Sequence, residues 1–263
     1  MTETREETRR VVRERYGQIA TQGGDCCASN CCQPGSETPS DRQSERLGYH
    51  DIDLSVAPAA SNLGLGCGNP HLIARLRAGE TVLDLGSGGG FDCFLAARQV
   101  TSAGRVIGVD MTPEMVALAR RNLADVDVDH LDFRLGEIEH LPVADGSVDV
   151  ILSNCVVNLS PDKPAVFREA MRVLKPGGRL AISDVVATTP LPESLRRDLY
   201  AVAGCLGGAA TVPEITDTLS DIGFVDVQID ALAQSRKIVR AWDTPRGLHN
   251  YVASATIEGR KPS

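Results

Sequence analysis

The sequence has no run of the roughly 18 consecutive apolar residues that a membrane-spanning helix requires, and its start, Thr2-Glu3-Thr4-Arg5-Glu6-Glu7, has none of the character of an export signal. Neither membrane insertion nor secretion is expected, and the expected location is cytoplasmic. A basic surplus is missing too. With 27 Lys and Arg against 35 Asp and Glu, the formal charge is −8, which argues against a surface that tracks nucleic-acid phosphates. Histidine is scarce, five in all with none beside a cysteine, and only Cys27 with Cys31 approaches the close cysteine spacing of structural zinc sites. Compositional extremes are absent: 42% hydrophobic and 24% charged residues exclude disordered, collagen-like and fibrous classes. A chain of 263 residues suits one well-filled catalytic domain with a smaller appendage.

What is present begins with eight cysteines: Cys26, Cys27, Cys31, Cys32, Cys67, Cys93, Cys155 and Cys205. Without an export signal, free thiols, redox pairs or soft-metal ligands are favoured over a disulfide framework. Thr4 and Glu7 form a capping-box pattern, and Val12, Tyr16 and Ile19 recur at helical spacing, so an amphipathic helix is expected from about Arg5 to Ala20. From Gln22 to Glu45 the Gly-, Ser-, Pro- and Cys-rich chain reads as a loop or lid. A short helical stretch near His71 to Leu76 follows.

Apolar strand runs then alternate with helical patterns. Strands are expected at Thr81 to Leu85, Arg105 to Val109, Leu131 to Leu135, Val148 to Leu152 and Arg179 to Ser183. Thr112-Pro113-Glu114 and Ser160-Pro161-Asp162 supply helix starts, and Leu174-Lys175-Pro176-Gly177-Gly178 reads as a helix stop. Such alternation implies βαβ units and a doubly wound, mostly parallel α/β sheet. Further on, helices are expected near Glu193 to Ala203 and from Pro213 to Ile222, and strands at Phe224 to Ile229 and Tyr251 to Ile257. The expected units are an N-terminal helix and lid over 1–60, a ligand-binding core over 61–190 and a small C-terminal extension over 191–263.

Asp84-Leu85-Gly86-Ser87-Gly88-Gly89-Gly90 leads from a buried strand through a glycine-dense turn into a helix near Phe91, a place where a ligand can rest against bare backbone. Asp110, twenty residues beyond Gly90 and at the end of the next strand, stands where a carboxylate grips ribose hydroxyls. The turn differs from the dinucleotide form G-x-G-x-x-G and resembles the first motif of class I methyltransferases. That resemblance implies S-adenosylmethionine as cofactor. Asp84, Gly86, Ser87, Gly88 and Gly90 would form its turn, and Asp110 and Met111 its ribose end. Gly136, Glu137 and Ile138 would stand near its adenine, with Asn154 at the end of the fourth strand.

Ligands of doubly wound sheets bind beyond the carboxyl ends of the strands, where Cys155 directly follows the fourth strand. Cys67 and Cys205 lie in small-residue turns that permit close backbone approach. Cys155 taken alone could equally be a small buried hydrophobe, a reading less attractive for all three together because each is flanked by Gly or Asn in a turn, whereas Cys93 belongs to a helix core. Three thiolates from separate loops suit a soft, three-coordinate centre better than zinc.

The runs Gly64 to Pro70, Gly86 to Cys93, Val109 to Thr112, Gly136 to Glu139, Ser153 to Ser160, Ile182 to Val185 and Cys205 to Ala209 resemble the arsenite methyltransferases. The resemblance implies that Cys67, Cys155 and Cys205 hold trivalent arsenic, delivered as arsenite or its glutathione adduct, for methylation. It also implies a thiol reductant, glutathione or thioredoxin, as partner. The roles of Cys26, Cys27, Cys31 and Cys32 stay open. A methyltransferase for an organic acceptor and a non-catalytic, thiol-based metalloid binder are the alternatives.

Overall fold

A computed structural model describes residues 2–22, 38–192, 198, 202–232, 235 and 250–263. The elements are α1 (Thr2–Gln22), α2 (Pro39–Arg46), α3 (Asp51–Val56), α4 (His71–Ala74), β1 (Thr81–Leu85), α5 (Phe91–Val100), β2 (Arg105–Asp110), α6 (Pro113–Ala124), β3 (Leu131–Leu135), β4 (Val148–Asn154), α7 (Lys163–Val173), β5 (Leu174–Ala187), α8 (Val212–Ile222), β6 (Val225–Ala231) and β7 (Val252–Arg260). Short 3-10 turns occupy Ala59–Ser61 and Val157–Leu159. No helix among the described residues is long and apolar enough to cross a membrane.

Seven strands form one sheet in the order β3-β2-β1-β4-β5-β7-β6. The first five are mutually parallel; β7 runs antiparallel to both β5 and β6. This is the class I methyltransferase form of the doubly wound fold. Buried strands that read as near-continuous apolar runs are what a sheet covered on both faces demands. Alternate residues serve opposite faces. Leu83, Leu85, Ile107, Val109, Ile151 and Ile182 pack with α7 and α8 through Phe167, Ala170 and Leu219. Val82, Val106, Val150 and Leu152 pack with α5 and α6 through Phe94, Ala97 and Ala119.

Phe133 of β3 is wedged beneath the glycine turn: a Cβ at Gly90 would lie 2.6 Å from its Cζ, and one at Gly108 would lie 2.6 Å from its Cδ1. Phe133 is 1% exposed. Phe133→Ala is expected to cost about 3–5 kcal/mol in chemical denaturation. It should also weaken ligand binding, because the turn loses the ring that supports it.

The expected strands and helices recur with shifted ends, each for a local reason. Strand β5 begins at Leu174, pairs with Val148 across a bulge and continues to Ala187, because β7 supplies a partner for every residue from Arg179 onward. The Leu174 to Gly178 segment stops α7 at Val173, as expected, and also forms the first residues of that strand. Helix α4 stops at Ala74 because Arg75 turns left-handed at φ 48°. The loop expected through Glu45 is corrected by α2, which Thr38 and Asp41 start with a reciprocal capping box. Cys26, Cys27, Cys31, Cys32 and most of the helix expected at Glu193 to Ala203 lie outside the described residues.

Candidate active site

Strand order reverses between β1 and β4, and the crevice at such a switch point is where doubly wound sheets bind ligands. The glycine turn follows β1, and Asn154-Cys155 closes β4. A cavity of about 440 Å³ opens between them, within the roughly 300–1,000 Å³ range of small-molecule sites.

One side of the cavity is backbone. Gly86 and Ser87 donate their N–H groups to the Val109 carbonyl at 2.7 and 3.0 Å, which laces the turn to β2. Gly88, at φ 52°, donates to Asp110 Oδ2 at 2.9 Å, and Thr112 N–H donates to Asp110 Oδ1 at 2.8 Å. Asp110 is therefore a brace for the turn as well as a cavity wall. Each of its oxygens keeps a second lone pair for a ligand hydroxyl. Burial raises its pKa above the usual carboxylate range, opposed by those two backbone donors.

Asp84, Gly86, Ser87, Gly88, Met111, Ile138 and Asn154 also line the cavity. Gly90 stands back from it, its left-handed backbone facing Phe133. Gly136 is turned against Pro142 and donates to the Asp110 carbonyl at 3.0 Å. Glu137 is 3.4 Å from Arg9 Nε of the N-terminal helix, and it is Glu139 that reaches the wall. Arg9 Nη2 lies 3.3 Å from Glu139, whose Oε1 accepts from Ser160 at 2.6 Å. With Arg5 to Asp162 at 2.8 Å, these contacts latch α1 across the crevice, and Val12 and Tyr16 complete the wall. The sequence reading gave α1 as an amphipathic helix and did not place it at the site. The alternation of Glu137 and Glu139 opposite an Arg-rich helix was the available signal.

The far end of the cavity holds thiols. Cys67, Cys155 and Cys205 are 0%, 7% and 4% exposed, and the last two line the cavity. Cys67 sits behind Cys155. Its Sγ, Cys155 Sγ and an Asp184 carboxylate oxygen all lie within 4.8 Å of one another. Cys205 Sγ donates to the Cys155 carbonyl at 2.8 Å, and Tyr16 Oη is 3.9 Å from the same sulfur. Cys155 and Cys205 both have left-handed backbones, at φ 61° and 64°. That conformation is uncommon for residues other than glycine and clusters at functional sites.

Burial pushes the Cys67 thiol pKa up, partly offset by a hydrogen bond with Cys155. For Cys205 the hydrogen bond with Cys155 and then burial raise it. Cys155 is pulled down by its contact with Cys205 and pushed up by Cys67 and burial, and ends well above its ordinary value. At all three, the balance of burial and mutual contact favours the protonated thiol. Asp184, held by Val185 N–H and by the Asn158 side-chain amide, is pushed up to about 6 by burial. Cys93, expected in the core, is fully buried in α5 and also donates to Asp84 Oδ2 at 3.3 Å.

Comparisons with known proteins bear on this geometry. The methyltransferase domain family matches residues 76–228. The chain is 52% identical over 267 aligned residues to the arsenite methyltransferase of Halobacterium salinarum, which covers 98% of this chain and 68% of that one. It is 41% identical to the arsenite methyltransferase of Aquipseudomonas alcaligenes over 83% of this chain and 62% of that one, so it spans about two thirds of the length of these relatives. Among solved structures, CrArsM, an arsenic(III) S-adenosylmethionine methyltransferase from Chlamydomonas reinhardtii, superposes with a TM-score of 0.61 at 31% identity, covering 87% of this chain and 75% of that one. Identity this high along nearly the whole chain, on this fold, leads to one assignment: the chain belongs to the arsenite methyltransferase family of S-adenosylmethionine-dependent enzymes.

Proposed function

We propose that this chain transfers methyl groups from S-adenosylmethionine to trivalent arsenic held by Cys67, Cys155 and Cys205. The observation that carries the proposal is the convergence of three thiols, from three separate loops, beside the glycine turn. An organic acceptor would need no such cluster.

The residues present fit the cofactor. The Gly88 Cα faces open space, with only Met115 Sδ at 4.0 Å from where a Cβ would stand, and Asp110 has free acceptor capacity beside it. Bound there, the cofactor supplies a methyl group already activated on a sulfonium. Gly86, Gly88 and Asp110 orient it, and α1 with Ile138 screens it from water.

Arsenic arrives as arsenite or a thiol adduct. Each exchange forms a cysteine S–As bond, breaks an As–O bond of arsenite or the S–As bond of the adduct, and passes the cysteine proton to the leaving group, which departs as water or as the carrier thiol. Thiolate ligation fixes the arsenic lone pair toward the methyl group, positioning of the kind worth up to about 7–11 kcal/mol in well-oriented systems. No general base is needed for attack, since the nucleophile is a lone pair. A thiol such as glutathione or thioredoxin serves as carrier and reductant in this reading.

The test incubates purified protein with arsenite, glutathione and S-adenosylmethionine and measures S-adenosylhomocysteine together with methylated arsenic. Both should accumulate in step. Arsenite captured without consumption of cofactor would mean a metalloid binder, and the absence of methylated arsenic would reject the proposal.

A further inference from the structure

Cys67 is carried on a loop that two side chains hold: Ser254 Oγ donates to the Cys67 carbonyl, and Asn154 bonds the loop at Cys67 and Gly68. Asn154 Oδ1 accepts the Cys67 N–H at 2.9 Å, and Asn154 Nδ2 donates to the Gly68 carbonyl at 2.8 Å. The remaining Nδ2 proton goes to Tyr49 Oη at 3.0 Å. Tyr49 in turn donates its own proton to Asp92 Oδ1 at 2.6 Å. Every hydrogen of this chain is thereby assigned, and Tyr49 provides one of the three bonds that fix the Asn154 amide. The loop is pressed onto that amide: Gly66 is at φ 124°, and a Cβ there would lie 2.7 Å from Asn154 Nδ2. Burial and then the neighbouring Asp92 raise the Tyr49 pKa well above its ordinary value, so the phenol stays a donor.

Cys155 and Cys205 are held otherwise. Cys155 N–H donates to the Ser183 carbonyl at 2.8 Å, and Cys205 N–H to the Val202 carbonyl at 2.9 Å. Tyr49 bonds neither Cys155 nor Cys205 directly, its contact being with the side chain of Asn154, and it does not line the cavity.

We infer that Tyr49, acting through Asn154, is a positioning residue for the Cys67 thiol alone, and so sets the preference of the site for arsenic with three exchangeable positions over arsenic that already carries carbon. The inference rests on the proposed function for its second half only. Without the Tyr49 hydroxyl, one N–H of the half-buried Asn154 amide loses its acceptor, and the amide is held by the Cys67 N–H and the Gly68 carbonyl alone. The Cys67 loop then loosens while the other two thiols stay in place.

The test uses Tyr49→Phe, which keeps the ring and its edge-on packing against Phe91 at 5.1 Å between centroids. In arsenic-free protein, alkylation of each cysteine by iodoacetamide is followed by peptide mass mapping. Cys67 should react about tenfold faster than in the parent, the scale of one buried hydrogen bond, with Cys155 and Cys205 unchanged. In turnover, KM for arsenite should rise by about the same factor, while KM for methylarsonite and affinity for S-adenosylmethionine stay as they were. Unchanged Cys67 reactivity would overturn the clamp, and an equal loss on both arsenicals would overturn its selectivity. The alkylation result does not depend on arsenic, so a parent protein that methylates nothing would count against the proposed function and leave the clamp to be decided by Cys67 reactivity.

Discussion

Cys155→Ser and Cys205→Ser should each abolish methylation of both arsenite and methylarsonite, whereas Cys67→Ser should abolish only the first. Arsenite offers three positions for thiolates; methylarsonite has given one to carbon and accepts two. The geometry makes the pair and the third distinct. Cys155 and Cys205 line the cavity and Cys205 Sγ rests on the Cys155 carbonyl, while Cys67 lies behind them. Serine nearly keeps the size of the side chain and removes the soft, exchangeable sulfur on which capture depends. Turnover of each variant on the two arsenicals, with methylated products quantified, decides the matter. Equal activity of Cys67→Ser on both substrates would falsify the three-thiolate site, and an active Cys155→Ser would remove the main support for arsenic as acceptor.

Asp110→Ala should lose S-adenosylmethionine affinity by about a hundredfold or more, as two charge-assisted hydrogen bonds to ribose hydroxyls disappear. From sequence, the acid was a strand end placed to grip ribose hydroxyls, with no other role. Its burial and its bonds to the Gly88 and Thr112 N–H groups change that expectation. Two backbone donors would be left without partners, at about 1–3 kcal/mol each. Calorimetry of cofactor binding and denaturant unfolding of the ligand-free protein should therefore both move. Undiminished affinity would take Asp110 out of the ribose site. A pH series adds a sign: because burial raises this carboxyl, affinity should fall on acidification at a higher pH than an ordinary aspartate would give.

The strands of the core were legible because a covered parallel sheet writes itself as apolar runs, and the Asp84 to Gly90 turn because its backbone needs residues without Cβ. The three cysteines were legible as thiols in turns. What escaped was whatever depended on distant partners. The Cys67 N–H finds Asn154 across 87 residues, and Asn154 finds Tyr49 across 105. No periodicity records such pairs, so Asn154 read as a cofactor contact and Tyr49 did not stand out. Strand β5 was read short for the same reason, since its length is set by β7. The role of α1 as a cavity wall rests on Arg5 and Arg9 reaching the loops after β4 and β3.

The left-handed backbones at Cys155 and Cys205 put stability and chemistry in opposition at the same two positions. Held there, a residue with a Cβ costs on the order of 1–3 kcal/mol that glycine would not. Glycine at either position would relieve that strain while discarding the sulfur and the packing of a buried side chain. Cysteine at both is a cost that use of the thiols, as proposed, would offset.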